Sequence, residues 1–119
     1  MYKNKLYDKN SCYPSKVEIE NIVRNYLDNN TIAFTIEELY IGMKNVLYLI
    51  KTDYEKIVLK IAPTYNETML TFENNNISWE AEMLKLMERL NIPSPKLLLY
   101  DDSKTINKTP YFFMTYIEG

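Results

Sequence analysis

Short apolar runs separated by polar turns dominate this chain, and their period changes along it. After Pro14, Ser15-Lys-Val-Glu18 has the form of a capping box, and Ile19, Ile22, Val23 and Tyr26 follow at helical spacing. The spacing predicts a packing helix that stops near Asp28-Asn29-Asn30. From Phe34 to Leu39 apolar and polar residues alternate, which predicts a strand running into Tyr40-Ile-Gly-Met-Lys-Asn45. Val46 to Ile50 is a second strand, Thr52-Asp-Tyr-Glu55 a turn, and Lys56 to Ala62 a third strand. Strands this close in sequence form an antiparallel meander. Thr64 to Asn76 is polar and contains three consecutive asparagines, so it reads as a loop. A second helix is predicted with Ser78 as its cap and Leu90-Asn91 before the stop at Ile92-Pro93. Pro93-Ser-Pro95 then forces an extended connection into a fourth strand, Leu97 to Tyr100. Asp101 to Thr109 is a hairpin-like loop and Pro110 to Tyr116 a fifth strand. The fold class is therefore α+β: a five-stranded antiparallel sheet with one helix between strands three and four, plus an N-terminal helix. Residues 1–14 read as a flexible leader and 15–119 as one small domain.

Strand three carries an unusual face. Side chains alternate along a strand, so Ile57, Leu59 and Ile61 share one side while Val58, Lys60 and Ala62 share the other. The second side is lined by small apolar groups and holds one long cation. Such a surface can roof a flat ring and reach phosphates with an ammonium; alternatively, the lysine only keeps an edge strand soluble. The next helix supplies two acids. Glu80 stands three, four and seven residues before Met83, Leu84 and Met87 and shares their face, whereas Glu82 points away from it. A carboxylate at Glu80 would hold the flexible stem of Lys60 and fix its ammonium.

Composition narrows the chemistry. The chain is 46% hydrophobic and 25% charged with a net charge of −2, ordinary globular material with no long basic run for nucleic acid. No apolar run approaches the length that spans a membrane, and the N-terminus lacks the apolar core of a signal peptide. The single cysteine, Cys12, makes no internal disulfide, which suits a cytoplasmic location. The chain has no histidine. That removes the commonest general base, the usual zinc-ligand sets, and Ser–His or Cys–His catalysis.

Four segments, taken in order, resemble the N-terminal lobe of a protein-kinase-like fold, and more narrowly the aminoglycoside phosphotransferase family with its choline and homoserine kinase relatives. Gly42-Met-Lys-Asn45-Val-Leu-Tyr48 resembles that family's short nucleotide-binding turn, and Val58-Leu-Lys60 its lysine strand. Phe72-Glu-Asn-Asn-Asn-Ile-Ser-Trp-Glu80 resembles the segment that brings in its helix glutamate. Ile92-Pro-Ser-Pro-Lys-Leu-Leu and Pro110-Tyr-Phe-Phe-Met-Thr-Tyr-Ile-Glu-Gly119 resemble its fourth strand and hinge. The resemblance covers roughly residues 31–119. It implies ATP or GTP as the nucleotide, with Lys60 on its phosphates and Glu80 orienting Lys60. Backbone amides of Gly42, Met43, Lys44 and Asn45 would cover the phosphates, and Val58 would lie against the adenine. Met114 would border the back of the pocket, and the Thr115 carbonyl and Ile117 amide would meet the adenine edge. Trp79 and Tyr111-Phe-Phe113 are assigned to packing, and Cys12 has no role. The turn has one glycine where protein kinases have several, which disfavours a protein-kinase lobe. The family's His-Gly-Asp catalytic loop and its later metal-binding aspartate are not in these 119 residues. A kinase-like lobe ending at the hinge is therefore expected. The magnesium ligands and the small-molecule acceptor would belong to a C-terminal lobe, and the chain alone would be inactive. A non-catalytic α+β binding or scaffold module is the alternative.

Overall fold

A computed structural model describes residues 14–28, 31–41, 46–62, 67–107 and 109–117, and for 67–76 the backbone alone. The first helix, α1 (Lys16–Leu27), begins on the predicted capping box. Ser15 Oγ accepts from the Glu18 amide at 3.2 Å, and the Ser15 amide donates to Glu18 Oε1 at 2.7 Å. Two of the otherwise unpaired donors at the helix start are thereby satisfied. Asp28 ends α1 in the left-handed region at φ 54°, its amide returning to the Arg24 carbonyl. Ile19, Ile22 and Val23 are buried, as their spacing predicts.

Among the described residues five strands follow: β1 (Phe34–Ile41), β2 (Val46–Thr52), β3 (Lys56–Ile61), β4 (Leu97–Asp101) and β5 (Tyr111–Thr115). Between β3 and β4 lies α2 (Glu67–Arg89). All pairs in the single sheet are antiparallel, and the spatial order is β1-β2-β3-β5-β4. The α+β class with one helix between the third and fourth strands is thus the fold observed. The chain crosses over β5's place to form the edge strand β4, then returns to fill the gap. Tyr111, Phe112 and Phe113 explain why β5 is the inner strand: each is at most 1% exposed. A run that is apolar on both faces needs cover on both faces.

The second helix is longer than its sequence predicts. Residues 67–76, read as loop, are helical, and Ser78 lies inside α2 instead of capping it. An asparagine in a helix costs at most about 0.7 kcal/mol relative to alanine, and glutamate, methionine and leucine nearby are good helix formers. Three asparagines lower helix propensity without stopping the helix. The far end stops as expected. Asn91 is left-handed at φ 60°, the Ile92 amide reaches the Met87 carbonyl, and the Asn91 amide reaches Glu88. These two bonds are a Schellman closure, and Pro93 follows it.

The sheet divides two cores. On the α1 side, Ile19, Ile22 and Val23 pack with Ile57, Leu59, Ile61, Tyr111 and Phe113. Tyr26 stacks on Phe113 with ring centroids 4.3 Å apart. On the α2 side, Ala62, Phe112, Ile77 and Ala81 form a smaller cluster flanked by Leu84, Leu97, Tyr100 and Met114. The alternation expected along β3 is the division observed.

Candidate functional site

Lys60 emerges from β3 on the α2 side of the sheet, opposite Phe112 of β5 in register. Its Nζ donates to Glu80 Oε2 of α2 at 2.5 Å. The lysine side chain is 12% exposed and the glutamate 44%. The cation is thus sunk in the protein while its counter-ion stands at the rim, half in water. Glu82 pairs with Lys85 at 3.3 Å on the exposed side of α2. The helical-face argument therefore selects the acid that meets Lys60.

The pair sits at the wall of an open cleft of about 350 Å³. Lys60, Phe112 and Met114 form its floor. Met83, Leu84 and Met87 continue the helix wall beside Glu80, with Trp79 at the mouth. Apart from the ion pair, the lining is apolar. A planar or aliphatic group can bury against it, while Lys60 presents a cation that can meet an anion. Phe112 is visible beforehand as the inward neighbour of Tyr111 and Phe113, and the three helix residues as sharers of Glu80's face. Trp79 is a correction. The sequence assigns it to packing, yet it is 69% exposed, because it projects from α2 well away from the buried Ile77 and Ala81.

The other predicted positions divide. Met114 lines the cleft. Val58 is buried on the Lys60 side of β3, in register with Leu49 and Met114, but is not part of the lining. Thr115 and Ile117 do not line it either. The Thr115 amide donates to the Lys96 carbonyl, and Thr115 Oγ1, in place of the backbone carbonyl, accepts from the Lys96 amide at 2.9 Å. The side chain thus ends the β4–β5 ladder and leaves the Thr115 carbonyl out of that pairing. Ile117 lies past the end of β5 and is 58% exposed. Gly42, Met43, Lys44 and Asn45 lie outside the described residues, as do Cys12 and all but Pro14 of the predicted leader.

Ser78 has a different place from the one predicted. It hydrogen-bonds to Tyr100 of β4 two residues before Glu80, and so ties the helix to the sheet beside the ion pair. Burial raises the Tyr100 hydroxyl above its ordinary range, with the Ser78 bond acting the other way. Among the described residues no group of three or more His, Cys, Asp or Glu could hold a metal ion. Nor, among them, is any helix long and apolar enough to cross a membrane.

No family model and no curated protein sequence matches the chain. Its fold does have a counterpart in a crystal structure from Ralstonia eutropha, provisionally described as an aminoglycoside phosphotransferase. The TM-score is 0.62 at 13% sequence identity over 88% of this chain. The chain spans 28% of that protein's length. The likeness is one of fold: a five-stranded antiparallel sheet and two helices in the manner of a kinase-like N-terminal lobe.

Proposed function

We propose that this chain is the nucleotide-holding lobe of a phosphotransferase that passes the γ-phosphate of ATP or GTP to a small-molecule hydroxyl. The observation that carries the reading is the Lys60–Glu80 ion pair, closed across β3 and α2 at the wall of an apolar cleft. Phosphoryl transfer asks for little covalent help and much positioning of charge, and a lysine fixed by a helix glutamate is one recurring part of it. In this reading Lys60 meets the phosphates and Glu80 fixes Lys60. The amides of Gly42 to Asn45 cover the phosphates, while Val58 and Met114 border the base. The Thr115 carbonyl, left out of the β4–β5 ladder, and the Ile117 amide meet the adenine edge. Magnesium would neutralise charge on the phosphates. Its ligands and the acceptor site are assigned to further parts of a longer protein, in line with the 28% coverage of the structural counterpart. A cytoplasmic setting suits a chain with one cysteine.

A lobe that covers one side of a nucleotide leaves the other wet, so binding is expected near the millimolar range, about −4 kcal/mol. Titration of ATP and GTP with magnesium, followed by NMR shifts, tests this. Lys60→Met is expected to weaken binding roughly tenfold, about 1.4 kcal/mol. With radiolabelled nucleotide and a panel of aminoglycosides, choline, homoserine and sugars, the 119-residue chain is expected to give no turnover. Equal nucleotide affinity in the wild type and Lys60→Met would reject the phosphate role. Absence of binding in both would leave a non-catalytic binding module.

A further inference from the structure

The outer side of α2 is apolar where an exposed helix face is ordinarily polar. Trp79 is 69% exposed, Met83 42%, Leu86 37% and Leu90, which follows the helix, 59%. Their spacing is four, three and four residues, the alternation that keeps one stripe facing a neighbouring helix. This stripe is nearly opposite Ile77, Ala81 and Leu84, which face the sheet. Trp79 and Met83 sit where this stripe meets the mouth of the cleft, and Leu86 and Leu90 carry it onward along the helix as a second seam.

Charge selects the occupant. Glu82 and Arg89 flank the stripe on one side and Glu80 on the other, so the surface carries little net charge and favours neither an anionic membrane nor a strongly charged peptide. We propose that a second copy of this chain docks antiparallel on this face. A two-fold axis between Met83 and Leu86 sets Trp79 of one copy against Leu90 of the other, and Met83 against Leu86. The same operation brings Glu82 alongside Arg89 of the second copy, on the flank of the seam. A parallel arrangement would set Glu82 beside Met87 and gain no such pair. The Glu82–Lys85 bond within one copy is exposed and weakly stabilising, so exchanging it costs little. A two-fold interface is self-complementary, as this pattern requires. The seam spans about 18 Å at 1.5 Å per residue. That is below the size of a standard stable interface, so the dimer is weak, with a dissociation constant between about 10 μM and about 1 mM.

Trp79 is the only tryptophan in the chain and reports the contact directly. The full 119-residue chain is studied by sedimentation equilibrium and tryptophan emission from about 1 μM to about 1 mM. A monomer–dimer transition is expected, with emission moving to shorter wavelength as the dimer forms. Leu86→Glu is expected to abolish both changes while far-ultraviolet circular dichroism stays that of the wild type. Glu82→Arg and Arg89→Glu are each expected to weaken pairing severalfold, and the double variant to restore it. The proposal is overturned by a monomer at every concentration or by a dimer indifferent to Leu86→Glu. A double variant no better than its singles overturns the antiparallel arrangement.

Discussion

The two faces of the sheet carry the same strands and differ in almost everything else. The α1 face is closed: aromatic and branched side chains from α1, β2, β3 and β5 interlock, and Leu59, Ile61 and Phe113 are fully buried. The α2 face holds a small cluster of alanines, Ile77 and Phe112, then opens into a cleft with an ion pair on its wall. One residue step along β3 separates them. Leu59 points into the closed core and Lys60 into the open one. The lesson is a division of labour by the period of two. One set of alternate positions supplies cohesion, which leaves the other set able to hold a cation that a solid core would reject.

The sharpest way to break this division is to truncate both sides and compare. Leu59→Ala removes a fully buried side chain with no room for collapse and is expected to cost about 2–5 kcal/mol. Leu84→Ala on the cleft wall, only partly buried and bordered by open space, is expected to cost less, about 1–2 kcal/mol. Urea denaturation of both variants measures this. Equal losses would mean that the open face is as cohesive as the closed one.

Legibility from sequence follows the same division. The closed face was readable because burial writes itself as periodicity: Ile19, Ile22 and Val23 at helical spacing, and Ile57, Leu59 and Ile61 at alternate positions. The Lys60–Glu80 partnership was readable because Glu80 shares its face with Met83, Leu84 and Met87. Other features left no such mark. The start of α2 is hidden because three asparagines resemble a loop in isolation, while helix continuity is decided over many residues. The insertion of β5 between β3 and β4 is a matter of topology, to which spacing is blind. Trp79 reads as core because it is a large aromatic residue, and only its helical angle, opposite Ile77 and Ala81, shows it exposed. Thr115 illustrates a further limit: its hydroxyl replaces a backbone acceptor, a substitution that no side-chain pattern announces.

A smaller effect sharpens the comparison within the open face. If Lys60 and Glu80 are kept for function and not for cohesion, their removal should be cheap but unequal. Glu80→Ala leaves the ammonium of Lys60, 12% exposed, without its carboxylate, and is expected to cost about 1 kcal/mol. Lys60→Met replaces the cation by an apolar chain of similar length against an apolar lining. Glu80, 44% exposed, stays solvated, so this change is expected to be neutral within about 0.5 kcal/mol. Thermal unfolding of the two variants at neutral pH decides it. A larger loss in Lys60→Met than in Glu80→Ala would make the pair a cohesive element.

The smallest effect lies at the rim of the closed face and shows itself only through pH. Asp101 at the end of β4 accepts from the Ser103 amide and hydroxyl on one oxygen, at 2.8 and 2.7 Å, and from the Tyr111 hydroxyl on the other at 3.1 Å. The Ser103 hydroxyl is the main cause that holds the Asp101 carboxyl below its ordinary value, with Tyr111 assisting and burial opposing. Burial is the main cause that raises Tyr111, followed by the charge of Asp101. The signs are opposite. A lowered carboxyl contributes stability above its unfolded value of about 3.9, lost as pH falls from there through the folded value. A raised phenol contributes below its unfolded value of about 10, lost as pH rises from there toward the folded value. One hydrogen bond therefore links an acid limb to an alkaline limb. Asp101→Asn is expected to flatten the acid limb and reduce the alkaline one, which burial alone still sustains. Tyr111→Phe is expected to abolish the alkaline limb while most of the acid limb survives, because Ser103 still holds the carboxylate. The acid limb is expected to be worth under about 1 kcal/mol, since solvent screens the part-exposed Asp101. Urea midpoints measured from about pH 3 to about pH 11 read both limbs. An acid limb lost equally in both variants would mean that Tyr111, and not Ser103, holds the Asp101 carboxylate.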